Sequence, residues 1–256
     1  MKNRYLLLLL FLGACGGSGG GPIQPPPPPP VVNEKPGGIW FGARANGTEI
    51  VVLISEDGNI RVIDEFGNQG FGTATVSNGT EMSATYKLVP QFARTLIDGS
   101  DFADCTFEGT VQERVTMTVT ASCLTSFGTA LGGSDIVLTY DESYEMDSSI
   151  ARVAGTYMNP DGDIMTIDVN GALFLQNVQF GCVVNGEISL LDTDWNLYSV
   201  NLVMESCMAE AEPFNGASWS GFVSVAVIDG FEFVAGGLVA DVDGQDTSLI
   251  VTWQRI

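Results

Sequence analysis

From Gly38 onward the chain is a succession of short β-rich runs cut by Asn-Gly and Asp-Gly dipeptides, and that punctuation decides what it can fold into. Glu49–Ser55 meets Asn59–Asp64 across Asp57-Gly58, and further turn signals fall at Asn46-Gly47, Asn78-Gly79, Asp98-Gly99, Asn170-Gly171, Asn185-Gly186, Asp229-Gly230 and Asp243-Gly244. Such dipeptides suit type I′ hairpin turns, whose two central residues both need positive φ. Apolar and polar residues alternate strictly through Val115–Ala121 and Ser218–Ile228, the period of a half-buried strand. No long stretch carries helical periodicity; the best helical candidate is a turn or two around Ser148–Val153. The expectation is an all-β, antiparallel fold.

The chain also resembles itself. Gly38-Ile-Trp-Phe-Gly42 opens one half and Gly155-Thr-Tyr157 the other; Phe107-Glu-Gly-Thr-Val111 parallels Trp219-Ser-Gly-Phe-Val223; Ile136–Tyr140 closes the first half as Leu249–Trp253 closes the second. Each half holds about seven or eight strands, enough for a small barrel or sandwich. The expected organisation is a β domain over 38–142, a polar and acidic connector over 143–152, and a second β domain over 153–256. One sandwich-like domain with long hairpins is the alternative.

Ahead of the β-rich region stand Lys2 and Arg4, an apolar run from Tyr5, and then Leu12-Gly13-Ala14-Cys15. The apolar run is too short to span a bilayer but matches a secretory signal core. The four-residue motif resembles the lipobox of bacterial lipoprotein precursors. That resemblance implies a signal peptide over 1–14, cleavage before Cys15, and lipidation of Cys15. Gly16 follows the cysteine where an aspartate often retains such proteins in the inner membrane, so the expected address is the outer membrane. Residues 15–37 read as anchor and linker: a glycine tether over Gly16–Gly21, then Pro25–Pro30, a polyproline II rod of roughly 19 Å. Lipobox, linker and strand-rich halves together are loosely similar to surface lipoproteins with eight-stranded barrels; no binding residues carry over.

Ten basic residues face 31 acidic ones, a formal charge of −21. Losing Lys2 and Arg4 with the signal peptide leaves eight against 31, or −23. A field of that sign repels nucleic acid and anionic lipid headgroups and suits cationic ligands or basic protein faces. There is no histidine, which removes Ser-His-Asp and Cys-His catalysis, histidine-containing zinc sites and histidine pH switching.

Export places the four remaining cysteines in an oxidising compartment. A hairpin tip over Thr110–Thr116, centred on Arg114, sets Cys105 opposite Cys123. Cys182 and Cys207 are equidistant from the Asp194–Trp195 midpoint, although a true turn at Asn185-Gly186 would break that symmetry. Cys105–Cys123 and Cys182–Cys207 are therefore the expected bridges, one per half, each worth about 3 kcal/mol. A four-cysteine metal site is the rival, without a Cys-x-x-Cys pair to support it.

Asp161-Gly-Asp163 and Asp241-Val-Asp243-Gly-Gln-Asp246 invite a calcium reading, but neither closes an EF-hand loop, and aspartates are common in turns. Paired carboxylates could serve a glycoside hydrolase; with 31 acids, chance pairs are assured. Trp40, Phe41, Trp195, Tyr198, Trp219 and Trp253 are expected mostly in the core, with a barrel cavity for an apolar ligand as the other use. Asn46-Gly-Thr48 and Asn78-Gly-Thr80 match glycosylation acceptors but read as hairpin turns. The sequence points to a non-catalytic envelope protein with no cofactor and no metal. Its partners would be the membrane, through the Cys15 lipid, and a protein or small ligand, with no nucleic acid. A structural or assembly role is the alternative, and a carboxylate hydrolase a distant third.

Overall fold

The computed structural model describes residues 31–177 and 181–256. The signal segment, Cys15, the glycine tether and the proline run lie outside the described residues. Eight strands form a first closed barrel: β1 (Gly38–Ala43), β2 (Glu49–Ile54), β3 (Asn59–Asp64), β4 (Gln69–Ser77), β5 (Glu81–Val89), β6 (Ala103–Gln112), β7 (Thr116–Thr125) and β8 (Ala130–Tyr140). Eight more form a second: β9 (Gly155–Met158), β10 (Ile164–Ile167), β11 (Ala172–Gln176), β12 (Val183–Leu190), β13 (Tyr198–Glu205), β14 (Ser218–Ile228), β15 (Phe231–Val242) and β16 (Gln245–Arg255). Each strand pairs antiparallel with its sequence neighbours, and first and last strands close each ring, which removes the exposed sheet edges.

The turn chemistry explains the meander. Asn78-Gly79, Asp229-Gly230 and Asp243-Gly244 have positive φ at both residues, as type I′ demands. Asp57-Gly58 differs: only the glycine is left-handed (φ +85°), and its N–H donates to the Ser55 carbonyl at 2.9 Å, so the turn is type I closed by glycine. Asn185-Gly186 is no turn. It lies inside β12, where Gly186 faces Leu202, and a Cβ there would come within 2.4 Å of the Asn201 carbonyl. Glycine is kept at that point for close strand approach.

The internal repeat is real at the level of register. Phe107 and Trp219 occupy matching places on the sixth strand of each barrel, opposite Ala84 and Leu202. Ile136–Tyr140 and Leu249–Trp253 lie on the two eighth strands. Between the barrels runs a 3₁₀ turn over Glu142–Glu145, then α1 (Ile150–Val153), capped by the Ser149 side chain accepting from the Arg152 N–H. The connector is not wholly solvated. Tyr144 is buried and stacks on Trp195 with ring centroids 5.2 Å apart, within a small shared core that includes Ile39, Leu53, Leu197 and Phe222. Further contacts join the barrels: the Gln69 side-chain amide donates to the Leu249 carbonyl at 2.5 Å, the Ser248 hydroxyl to the Gly67 and Pro90 carbonyls, and Lys87 pairs with Asp246 at 2.6 Å.

Both disulfides form as the hairpin geometry predicts, Cys105–Cys123 and Cys182–Cys207. The first pair sits directly opposed on β6 and β7, with Arg114 at the turn (φ +56°). The second lies just beyond the last ladder pair, Val183 opposite Glu205. The left-handed Ser206 (φ +58°) turns the chain so that Cys207 returns toward Cys182.

Candidate functional site

The two barrels share a plan but not an interior. In the first, Trp40, Phe107, Met82 and Met117 are almost fully buried, and Tyr86 meets Phe107 edge to face at 4.9 Å. These side chains fill the lumen. Register shows what replaces them in the second barrel. Met82 faces Gly109, and its counterpart facing Gly221 is Val200. Met117 faces Val111, and its counterpart facing Val223 is Gly236. Leu138 faces Met117, and the residue facing Gly236 is Val251. Each exchange removes volume, and the lumen opens into a cavity of about 460 Å³. That is the size of a small-molecule site.

The cavity wall is apolar, built by side chains such as Met165, Leu175, Val200, Val223, Leu238 and Trp253. Its far end is closed. Val153 of α1, Tyr157 and Tyr198 are buried there, and Tyr157 donates its hydroxyl to the Val153 carbonyl at 2.8 Å. Arg255 locks the seam at the same end, donating to the carbonyls of Arg152 and Ala154 and pairing with Glu232 at 2.8 Å.

The other end is uneven. β9 and β10 have four residues each, whereas β14, β15 and β16 have eleven or twelve. Asn159-Pro160-Asp161-Gly162 stops β9 early, since proline offers no ladder N–H and glycine (φ +88°) completes the turn. As a result β16 meets β9 only at Gln254 and Arg255. Above that point the cavity reaches between β16 and the β9–β10 hairpin, touching Ile250 and Thr252. A 3₁₀ segment over Ala209–Phe214 roofs part of this end and turns Ala211 and Phe214 to the cavity. The Cys182–Cys207 bridge holds its base, and Asn215 donates to the Cys207 carbonyl and accepts from its N–H at 3.0 and 2.7 Å.

Polar groups at the mouth come from the β9–β10 hairpin and the end of β11. Asp163 is buried (5% exposed) and accepts from the side-chain amides of Asn159 and Asn177 at 3.1 and 2.6 Å. Its own N–H donates to the Asn159 side-chain oxygen at 2.8 Å. Among the described residues lining the cavity, Asp161 and Asp163 are the ionisable side chains.

The residues singled out in the sequence distribute unevenly around this site. Asp161 and Asp163 stand at its mouth, whereas Asp241 accepts from the Gly244 N–H and Asp246 pairs with Lys87. Among the described residues no three carboxylate or cysteine side chains gather as a metal would need. Trp40, Tyr198 and Trp219 are core; Trp253 lines the cavity; Phe41, one residue on from Trp40, alternates outward and is exposed. Asn46 and Asn78 sit in hairpin turns, Asn46 accepting from the Thr48 N–H. Asn159, Asn177, Val200 and Gly236 carried no sequence signal of a site, although Asn-Pro-Asp-Gly marks the break in the wall.

Tandem eight-stranded barrels, one filled and one hollow, define the class of protein. No protein-family model and no curated protein matches the chain.

Proposed function

We propose that this is a non-catalytic, lipid-anchored protein of the outer membrane, held by a lipidated Cys15, whose second barrel binds a small apolar molecule. The cavity carries the reading: about 460 Å³ of apolar lumen, open at one end, in a barrel whose sister is packed solid. An apolar molecule entering that lumen is stabilised by about 25 cal/mol for each Å² of apolar surface removed from water, so an apolar wall of this extent suits occupancy. The lipobox-like segment and the stalk support the anchoring.

The test uses the full chain carrying Cys15→Ser, free of lipid at that position. An apolar fluorescent dye such as N-phenylnaphthylamine should bind and brighten. Val200→Phe, which projects a ring into the lumen, should weaken dye binding at least tenfold while the thermal midpoint is held or raised. Absence of dye binding, or binding that Val200→Phe leaves unchanged, overturns the cavity reading. Incorporation of labelled palmitate into the wild-type chain, and its loss in Cys15→Ser, tests the anchor separately.

A further inference from the structure

The mouth of the cavity specifies more than an apolar ligand. Its charged side chains are Asp161 and Asp163, both on the β9–β10 hairpin that forms the low wall, and Asp163 is held rigidly by Asn159 and Asn177. The two cations of the second barrel, Arg152 and Arg255, are at the opposite, closed end. Arg255 is occupied there by Glu232 and two backbone carbonyls. Lys87, reaching over from the first barrel, is paired with Asp246 at 2.6 Å. Among the described residues that line the cavity there is no lysine or arginine; Arg94 of the first barrel lies in the neighbouring groove beside Pro213 and Asp243, its guanidinium donating to the Phe66 carbonyl at 3.5 Å.

The shape of the opening adds a second constraint. On the seam side, among the described residues, β16 has no strand partner between Gln254 and Leu249, whereas farther along Gln91 of the first barrel bridges to Ser248. Ile250 and Thr252 line that gap, with the Asn159–Asp163 hairpin opposite. A linear molecule can lie with its tail among Met165, Leu175 and Val200 and its head between the hairpin and β16. A carboxylate or phosphate head in that place would meet Asp161 and Asp163 and lose water without gaining a cationic partner, a costly combination. A hydroxyl or amide head can donate to those carboxylates, and an ammonium head gains both hydrogen bond and charge. The net charge of −21 acts in the same direction at longer range.

Resting on the cavity-binding reading, we infer that the second barrel selects single-chain amphiphiles with a neutral or cationic head and rejects the anionic ones, fatty acids included. Asp161 and Asp163 are the selectivity residues. Asp161, on the exposed hairpin tip, faces the arriving head. Asp163 fixes the hairpin and extends the negative field inward.

The experiment compares three probes of one chain length: dodecanol, dodecylamine and dodecanoate. Each displaces N-phenylnaphthylamine from the full chain carrying Cys15→Ser, at neutral pH and below its micellar or, for dodecanol, its solubility limit. Dodecanol and dodecylamine should displace the dye, and dodecanoate should be at least about tenfold weaker, a difference of ~1.4 kcal/mol. Asp161→Asn should narrow the gap by strengthening dodecanoate and weakening dodecylamine, with dodecanol unmoved. Asp161→Asn with Asp163→Asn should narrow it further if circular dichroism shows the native fold. Dodecanoate binding as tightly as dodecanol in the wild type overturns the selectivity while leaving the cavity reading intact. A gap that persists in Asp161→Asn overturns the role of Asp161, and one that persists in the natively folded double variant overturns that of both residues. Failure of dye and all three probes to bind rejects the cavity reading itself.

Discussion

Phe92 of the first barrel meets Phe214 of the second edge to face, ring centroids 4.2 Å apart, and Phe214 meets Trp219 in the same manner at 5.4 Å. This aromatic chain ties the loop after β5 to the 3₁₀ segment that roofs the cavity, so the filled barrel braces the hollow one.

Phe92→Ala should therefore act in two ways. Phe92 is half-buried, so the loss should lie below the 3–5 kcal/mol of a fully buried phenylalanine, at about 2 kcal/mol, read from the urea midpoint. The roof should also loosen, and dye should leave the cavity several-fold faster in stopped-flow dilution. Phe92→Leu, which keeps apolar area, should recover most of the stability. An unchanged dissociation rate in Phe92→Ala would separate the roof from the first barrel.

Much of this architecture was legible in the chain because its signals are local. Hairpin dipeptides fix where strands reverse, and period-two alternation fixes which side chains face inward, so the antiparallel strand order and the Cys105–Cys123 pairing follow from short-range geometry. The closure of each ring, β1 on β8 and β9 on β16, decides barrel over sandwich and does not follow from it. The hollow was not legible. It depends on Val200 standing where the first barrel has Met82, and Gly236 where it has Met117, equivalences that only strand register reveals. Asn185-Gly186 misled for the same reason: the dipeptide favours a turn, but pairing of β12 with both neighbours overrides it. In the sequence the two carboxylates of Asp161-Gly-Asp163 read as a metal signal. Their place at the rim of an apolar cavity comes from the early end of β9.

The repeated glycine on the sixth strands offers a direct test of close strand approach. A Cβ at Gly221 would stand 1.9 Å from the Gly237 carbonyl oxygen, and one at Gly109 would stand 2.0 Å from that of Thr118. Backbone cannot yield as a flexible side chain does. Gly221→Ala and Gly109→Ala should each destabilise the protein by about 1–3 kcal/mol through overpacking, seen as lower urea midpoints with unchanged slope. A neutral or stabilising alanine at either place would show that the strands separate readily.

The two disulfides should differ in what they protect. Replacing Cys105 and Cys123 together by alanine frees a loop of 18-residue separation inside a continuous hairpin, and about 3 kcal/mol of global stability should go with it. Replacing Cys182 and Cys207 should remove a similar amount, but also release the base of the cavity roof. Amide exchange over 206–217 should then rise more than elsewhere, and dye dissociation should quicken, with neither change in the first double variant. Equal exchange profiles for the two variants would deny the second bridge any part in holding the roof.

Asp98 contributes to the acid side of the stability curve. Its carboxylate accepts from the Ser100 hydroxyl and N–H at 2.6 and 3.1 Å and from the Thr125 hydroxyl at 2.6 Å, joining the loop before β6 to the end of β7. The hydroxyl hydrogen bonds of Ser100, and then Thr125, hold its pKa well below the usual carboxylate range. With the folded value below the unfolded one of about 3.9, the unfolded chain takes up the proton first. The stabilisation is thus complete above about pH 4 and disappears as pH falls through the depressed folded value. Asp98→Asn should melt below the wild type at neutral pH, and the two melting temperatures should converge as pH is lowered from about 4 toward 2. Scanning calorimetry across that range distinguishes charge from shape: a gap that stays constant with pH would mean that the hydrogen-bond geometry, and not the anion, supports the turn.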